Sequence, residues 1–314
     1  MGALPEHSLT PWVLFNLMVL AFLALDLGVF HRKAHTVTFR EAVFWNVVWT
    51  ALGLLFGALV GRLYGNESGV EYVAGYVIER ALSIDNIFVF VVVFRYFSVP
   101  PQYQHRVLYW GILGALGMRA VLIFAGSVIV GMFHWVLYLF GAFLVYTGVM
   151  LLVKDDAPPD PERNAAVRLA RRLFPVTPEG EGAKFFVRRR GRIHATPLLI
   201  VLLVVETTDL VFALDSIPAI FGVTQDPFII YTSNVFAILG LRAMYFLLAA
   251  LLPRFRFLKH GLSAVLVFIG VRMLSADVLH IPTAAALSAV VAILAIAVVA
   301  SIVAPGKPSG GKAP

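Results

Sequence analysis

Residues 79–90 read ERALSIDNIFVF, which sets two carboxylates, Glu79 and Asp85, with an arginine, a serine and an asparagine inside a chain that is oily on both sides. The surroundings make those groups costly. Of 314 residues 60% are hydrophobic and 14% charged, and apolar runs long enough for a bilayer recur from end to end, the composition of a membrane protein. Nine runs can be marked, at residues 11–30, 41–61, 72–94, 107–130, 135–153, 196–221, 229–252, 261–275 and 283–304. They predict an all-α polytopic membrane protein with about nine transmembrane helices.

The acidic stretch has an echo. LSIDNIFVF from Leu82 aligns with FALDSIPAI from Phe212, LGMRAVLIFAG from Leu116 with LGLRAMYFLLA from Leu239, and GAFLVYTGVMLL from Gly141 with SAVLVFIGVRML from Ser263. Matches in the same order mark an internal repeat. Each copy holds three runs, and an odd number turns the second copy over in the membrane. Residues 71–153 and 196–276 are thus predicted to be two inverted three-helix repeats. Two helices precede them in 1–70, a basic cytoplasmic loop joins them at 154–195, and a last helix and tail follow in 277–314. In secondary transporters built this way the substrate site lies near the midplane, between the copies.

Under this alignment Glu79 falls on Asp209, Asp85 on Asp215, and Asn86 on Ser216. A six-residue spacing is not a helical contact: at about 100° per residue the two acids of a pair point roughly 120° apart. Pro218, just after Asp215, predicts local unwinding that frees backbone carbonyls. With Asp26 and Glu206, six carboxylates lie in or at the edges of the apolar runs. Each ionised group there costs roughly 2.5–3.5 kcal/mol on insertion scales. Buried salt bridges to Arg80, Arg119, Arg242 and Arg272 would give the acids a structural role, but six acids against four arginines leave negative charge over.

A negative cavity lined by oxygen takes a cation. The ligands on offer are Asp, Glu, Asn, Ser and Thr; cysteine is absent and all eight histidines fall in loops or at the ends of runs. Hard divalent ions such as Mn2+, Mg2+ or Ca2+ therefore fit better than Zn2+ or Cu+. The expected metal ligands are Glu79, Asp85, Asn86, Glu206, Asp209 and Asp215, with Asp26 and Ser216 as additional candidates. Arg119 and Arg242, equivalent in the repeat, read as counter-ions or gates of the empty site in preference to anion ligands.

Twenty of the 25 Lys and Arg residues fall in alternate segments between the runs, and only Arg62 in the others. By the positive-inside rule this puts the amino terminus outside and the carboxyl terminus in the cytoplasm. Glu6 and His7 precede the first run and no small-x-small site follows it, so it reads as a retained span, not a signal peptide. The run RRRGR at 188–192 reads as contact with an anionic cytoplasmic leaflet, not as a nucleic-acid site. NAAVRLARRLF at 164–174 predicts a short basic amphipathic helix, and KFFVRRRGRIHAT at 184–196 a hairpin turning at Gly191. There is no phosphate-binding glycine loop, no nucleophile paired with a base and no nucleotide module. No enzyme activity and no cofactor are expected; transport would run on ion gradients, with H+ as a candidate counter-ion.

ERALSIDNIFVF, ETTDLVFALDSIPAIFGVTQDPFIIYTSNVFAILGLRAMYFLL at 206–248 and LDLGVFHRKAHTVTFREAVFW at 25–45 resemble the TerC/Alx family of bacterial integral membrane proteins, and the similarity runs over nearly the whole chain. The resemblance implies export of manganese from the cytoplasm across the bacterial inner membrane. The family's motif acids match here as Glu79, Asp85, Glu206, Asp209 and Asp215, with Asn86 beside them. Asp26 lies in the matching amino-terminal segment, near the cytoplasmic end of the first run. The reading from another class is a non-transporting membrane scaffold whose acids serve packing and whose long basic loop docks other proteins.

Overall fold

The computed structural model describes residues 9–25, 38–153, 164–177, 182–189, 191–251 and 257–303. Within them lie eleven helices and one two-stranded hairpin: α1 Thr10–Leu25, α2 Phe39–Tyr64, α3 Asn66–Tyr96, α4 Pro101–Met132, α5 Val136–Val153, α6 Ala165–Leu173, β1 Phe186–Arg189, β2 Arg192–Ala195, α7 Pro197–Phe221, α8 Pro227–Leu239, α9 Leu241–Leu251, α10 Leu258–Leu274 and α11 Thr283–Val303. The protein is an all-α, multi-pass membrane protein. Five helices, α2, α4, α5, α7 and α11, are each long and apolar enough to cross a bilayer, and α8 with α9 makes a sixth if the bent pair is one span.

The other helices within the nine runs fall short of that measure for identifiable reasons. α3 has 31 residues, a length of about 46 Å, but Glu71, Glu79, Arg80 and Asp85 dilute its apolar character. α10 has 17 residues and carries Lys259, His260 and Arg272, and the described part of α1, apolar throughout, is 16 residues long, both below the ~20 that span the hydrocarbon core without thinning it.

The expected unwinding at Pro218 is corrected by the structure. α7 runs unbroken through Pro218, which sits in its last turn, and Gly222 N closes that turn on Pro218 O at 3.0 Å. A proline so close to the end removes one hydrogen bond without breaking the helix behind it. The break lies instead at Gly240, where α8 and α9 bend by 44°. A Cβ at Gly240 would lie 2.3 Å from Arg80 Nη1 and 3.4 Å from Trp49 Cβ, so only a residue without a side chain admits Arg80 there. The aligned glycine of the first copy, Gly117, has nothing within 4 Å, and α4 passes through it as a continuous 32-residue helix.

α8 is the centre of the bundle. Every residue from Phe228 to Leu239 is buried, Thr232, Ser233 and Asn234 included, as expected of a helix that is largely apolar on every face and carries no charge. α3 packs against α8, α2 and α7. The α3–α7 crossing is antiparallel: Gly75 lies against Ile220, and eleven residues further along α3 Asn86 meets Asp209. α5 and α10 also cross antiparallel and very closely. A Cβ on Gly141 would lie 2.9 Å from Gly270 O, and one on Gly148 3.0 Å from Ser263 O, while Ser263 Oγ donates to Gly148 O at 2.6 Å. With no hydrophobic drive between helices in lipid, such small-residue seams let backbones approach and gain dispersion energy.

Between α5 and α7, Asn164 caps α6 by accepting from Ala166 N and Val167 N. β1 and β2 pair antiparallel, Phe186 opposite Ala195 and Arg189 opposite Arg192, and Gly191 in the turn has φ +77°.

Candidate functional site

Two polar centres meet at the α3–α7 crossing. The first is built on Arg119 of α4, 2% exposed. Its Nε and Nη2 donate to Asp209 Oδ2 and Oδ1 at 3.5 and 3.3 Å, the forked geometry that suits a guanidinium to a carboxylate. Its Nη1 pairs with Glu79 and also donates to Asn234 Oδ1 at 2.8 Å and Ser216 Oγ at 3.3 Å. Asn234 Nδ2 in turn donates to Glu79 Oε2 at 3.1 Å, and Ser83 Oγ to Glu79 Oε1 at 3.4 Å. The network is shut off from solvent, and two carboxylates face one guanidinium.

The second centre is a small, partly open cavity of about 40 Å³ between α3, α5, α7 and α10. Asp85 and Asp215, both half-buried, face it together with Asn86, Thr147 and apolar side chains. Asn86 is 2% exposed and joins the centres: its Nδ2 donates to Asp209 Oδ1 at 3.0 Å, and its Oδ1 is buried with no hydrogen-bond partner. A buried carbonyl oxygen without a donor costs about 1–3 kcal/mol. A cation in the cavity is one group that would satisfy it.

The six expected ligands therefore do not converge on one point. Glu79 and Asp209 are engaged by Arg119, whereas Asp85 and Asp215 share the cavity with Asn86. Glu206 packs its carboxylate over Gly114 of α4, one turn from Asp209; a Cβ on Gly114 would lie 2.0 Å from Glu206 Oε1. Among the described residues no three His, Cys, Asp or Glu side chains gather closely enough to hold a metal. Ser216 belongs to the Arg119 network. Arg242 is buried in α9, two residues past the bend, and Asp26 lies outside the described residues. Arg272, in the last turn of α10, caps carbonyls, with Nη2 donating to Ile281 O at 3.0 Å and Nη1 to Gly222 O.

Two residues escaped the sequence reading. Asn234, 0% exposed, completes the Arg119 network from α8; its signal was the run Thr232-Ser233-Asn234 inside an apolar segment. Thr147 donates to Leu144 O at 3.2 Å and so keeps oxygen lone pairs available on the cavity wall. Its place in the second copy is taken by Ile269, so the repeat could not point to it.

Residues 64–307 match the family described as integral membrane protein TerC. The chain belongs to that family. The match runs from the end of α2 past α11 and contains both polar centres. Among relatives of this TerC-family chain, an uncharacterized membrane protein of Myxococcus xanthus is 53% identical over 292 residues, 93% of this chain and 92% of its own. The Escherichia coli (strain K12) protein named "Putative membrane-bound redox modulator Alx" is 45% identical over 292 residues, 90% of this chain and 91% of its own. An uncharacterized membrane protein of Rickettsia bellii is 40% identical over 292 residues, 93% of this chain and 97% of its own. No solved structure matches the chain.

Proposed function

We propose that this protein is a secondary transporter that exports a hard divalent cation, Mn2+, from the cytoplasm through an acidic site within the membrane. One observation carries the reading: Asp85 and Asp215, at equivalent positions of two aligned segments, face a single cavity that Asn86 also lines, and the buried Oδ1 of Asn86 has no hydrogen-bond partner. Two carboxylates, an amide oxygen and a hydroxyl form a hard donor set suited to Mn2+, Mg2+ or Ca2+, and the TerC resemblance selects manganese. Four protein groups, binding through one oxygen each, leave part of the coordination sphere to water, which suits cargo that must depart. Glu79 and Asp209, held on Arg119, act as a lock beside the site, and Glu206 as an acceptor on its cytoplasmic side.

Nine spans with two inverted three-helix repeats belong to the same proposal. Gly141 aligns with Ser263 and Gly148 with Gly270, so the contact between Gly141 and Gly270 maps onto that between Ser263 and Gly148. Such an exchange is expected of copies related by a near-two-fold rotation. The basic bias then sets an outside amino terminus and a cytoplasmic carboxyl terminus in a bacterial inner membrane, with H+ as the counter-ion and no enzyme activity. The 314 residues contain no cysteine, so the redox effect in the name of the Alx relatives, carried to this chain, would not run through one of its thiols.

The saturated Arg119 network favours a second reading, in which the buried acids only hold the bundle. Cellular manganese, measured by elemental analysis in cells making wild type, Asp85→Asn or Asp215→Asn at matched membrane levels, separates the two. Transport predicts that wild type lowers manganese and neither variant does. Equal depletion by all three proteins would end the transporter proposal.

A further inference from the structure

The loop module formed by α6 and the hairpin exposes apolar and cationic side chains together. Leu169 and Leu173 of α6 are 57% and 64% exposed, and Phe186 and Ile193 of the hairpin 48% and 55%. Phe174 packs edge-on against Phe186 at 5.5 Å, which fastens the end of α6 to the hairpin. Around this patch Arg168, Arg171 and Arg172 on α6 and Arg188 on the hairpin are exposed, while Arg189 and Arg192, also exposed, pair with each other on the hairpin's other face. Arg188 lies directly opposite Ile193 in the strand pairing, so it shares that face.

The module does not drift. Val167 and Ala170 bury the other side of α6, which packs on α7, and Asn164 Nδ2 donates to Thr207 Oγ1 at 2.6 Å. Thr196 N donates to Phe185 O at 2.9 Å and Thr177 N to Ala195 O at 2.9 Å, tying the hairpin to the start of α7. Phe185 also receives Arg106 over its ring face at 5.4 Å and the edge of Trp110 at 6.5 Å, both from the first turns of α4. The patch is thus held where two helices begin, beside a tryptophan, the residue that favours the headgroup zone.

We propose that α6 and the hairpin form a docking surface for anionic phospholipid, with the leucines, Phe186 and Ile193 at the acyl boundary and the arginines on headgroup phosphates. Charge complementarity and position select a bilayer: a patch of aliphatic and aromatic side chains rimmed by arginine is the pattern of an interfacial element. On the transport reading above, the Asn164–Thr207 bond ties this surface to α7 one residue from Glu206, so lipid charge would bear on the acidic helix.

The chain lacks cysteine, so Leu173→Cys in the full-length protein accepts a single polarity-sensitive dye. In neutral detergent, phosphatidylglycerol should shift the dye to the blue, whereas phosphatidylcholine should not, and salt should weaken the shift. Replacing Arg168, Arg171 and Arg172 together with Gln should raise the half-effect concentration about 100-fold, from about fivefold per arginine near an anionic surface. The corresponding Lys variant should retain the response, which separates charge from folding. Equal shifts with both lipids, no shift with either, or full reproduction by inorganic phosphate alone would each overturn the proposal. None of these readouts requires manganese transport, so they stand or fall apart from it.

Discussion

Asn86 and Asp209 meet across the α3–α7 crossing, Nδ2 to Oδ1 at 3.0 Å, while the Oδ1 of the same amide is buried without a partner and the residue lines the cavity shared by Asp85 and Asp215. One side chain touches both the ion-pair network and the cavity. A displacement at the cavity must therefore strain or release the Arg119 network.

Asn86→Asp turns the donor facing Asp209 into an acceptor. At neutral pH two carboxylates then oppose one another, and the full-length protein in detergent should melt at a lower temperature than wild type. Acid restores a proton that the new side chain can donate, so the deficit should shrink as pH falls. A deficit that does not depend on pH would mean that the Asn86–Asp209 contact is not what holds this crossing.

Arg119→Gln leaves Glu79 and Asp209 buried without their cation. Breaking a buried pair by removing one partner costs about 3–5 kcal/mol, enough to empty the membrane of folded protein. Combining it with Glu79→Gln and Asp209→Asn neutralises the cluster and should recover most of the lost thermal stability. Full recovery of the fold without recovery of efflux would assign the ion pairs a part in transport beyond packing.

For Asp85 and Asp215, the decisive quantity is their combination. Asp85→Asn and Asp215→Asn should each abolish manganese efflux, and the double variant should be no worse than either, because residues that act on one ion are non-additive. Partial, additive losses would indicate two separate ion sites.

Legibility in the sequence followed the physics. Each of the nine apolar runs contains a helix, because hydrophobic length writes itself directly into composition, and the α6 and hairpin patterns rest on equally local signals. The bend at Gly240 was not legible: the aligned Gly117 sits in a continuous helix, and what sets Gly240 apart is Arg80 of α3 packed against it, a contact far away in the chain; Pro218, the visible breaker, sits where breaking changes little. At the site, the carboxylates were visible as charges out of place in oil. Their division into an Arg119 lock and an Asp85–Asp215 cavity was not, because helical phase fixes a direction but not which neighbour fills it. Asn234 was overlooked because, unlike Asn86, it has no carboxylate beside it in the chain, although it holds both Glu79 and Arg119.

Glycine positions offer a paired test. Gly270→Ala forces a methyl to within 2.6 Å of Gly141 O, and overpacking of that kind costs about 1–3 kcal/mol. Gly117→Ala meets nothing within 4 Å and removes a flexible residue from a helix interior, a gain of about 0.5–1 kcal/mol. Thermal melts of the two variants should therefore shift in opposite directions.

Orientation can be read by labelling. In a chain without cysteine, Gln225→Cys, exposed between α7 and α8, should react with an impermeant maleimide in intact spheroplasts, and Arg189→Cys only after lysis. Reaction of residue 189 before lysis would reject the proposed topology.

The seam between α5 and α10 limits how the molecule can move. Where glycine backbone rests on glycine backbone there are no rotamers to exchange, and even a small slide drives a carbonyl into a Cα. The two helices therefore behave as one stiff beam. The α3–α7 crossing is different: beyond the Gly75–Ile220 contact it is joined by polar side chains, Asn86 to Asp209 directly and Glu79 to Asp209 through Arg119 of α4, which can trade one partner for another at modest cost. Any rocking that opens the cavity to one side and then the other would turn about the first pair and slip at the second, so substitutions that stiffen α3 against α7 should slow turnover while leaving the folded protein intact.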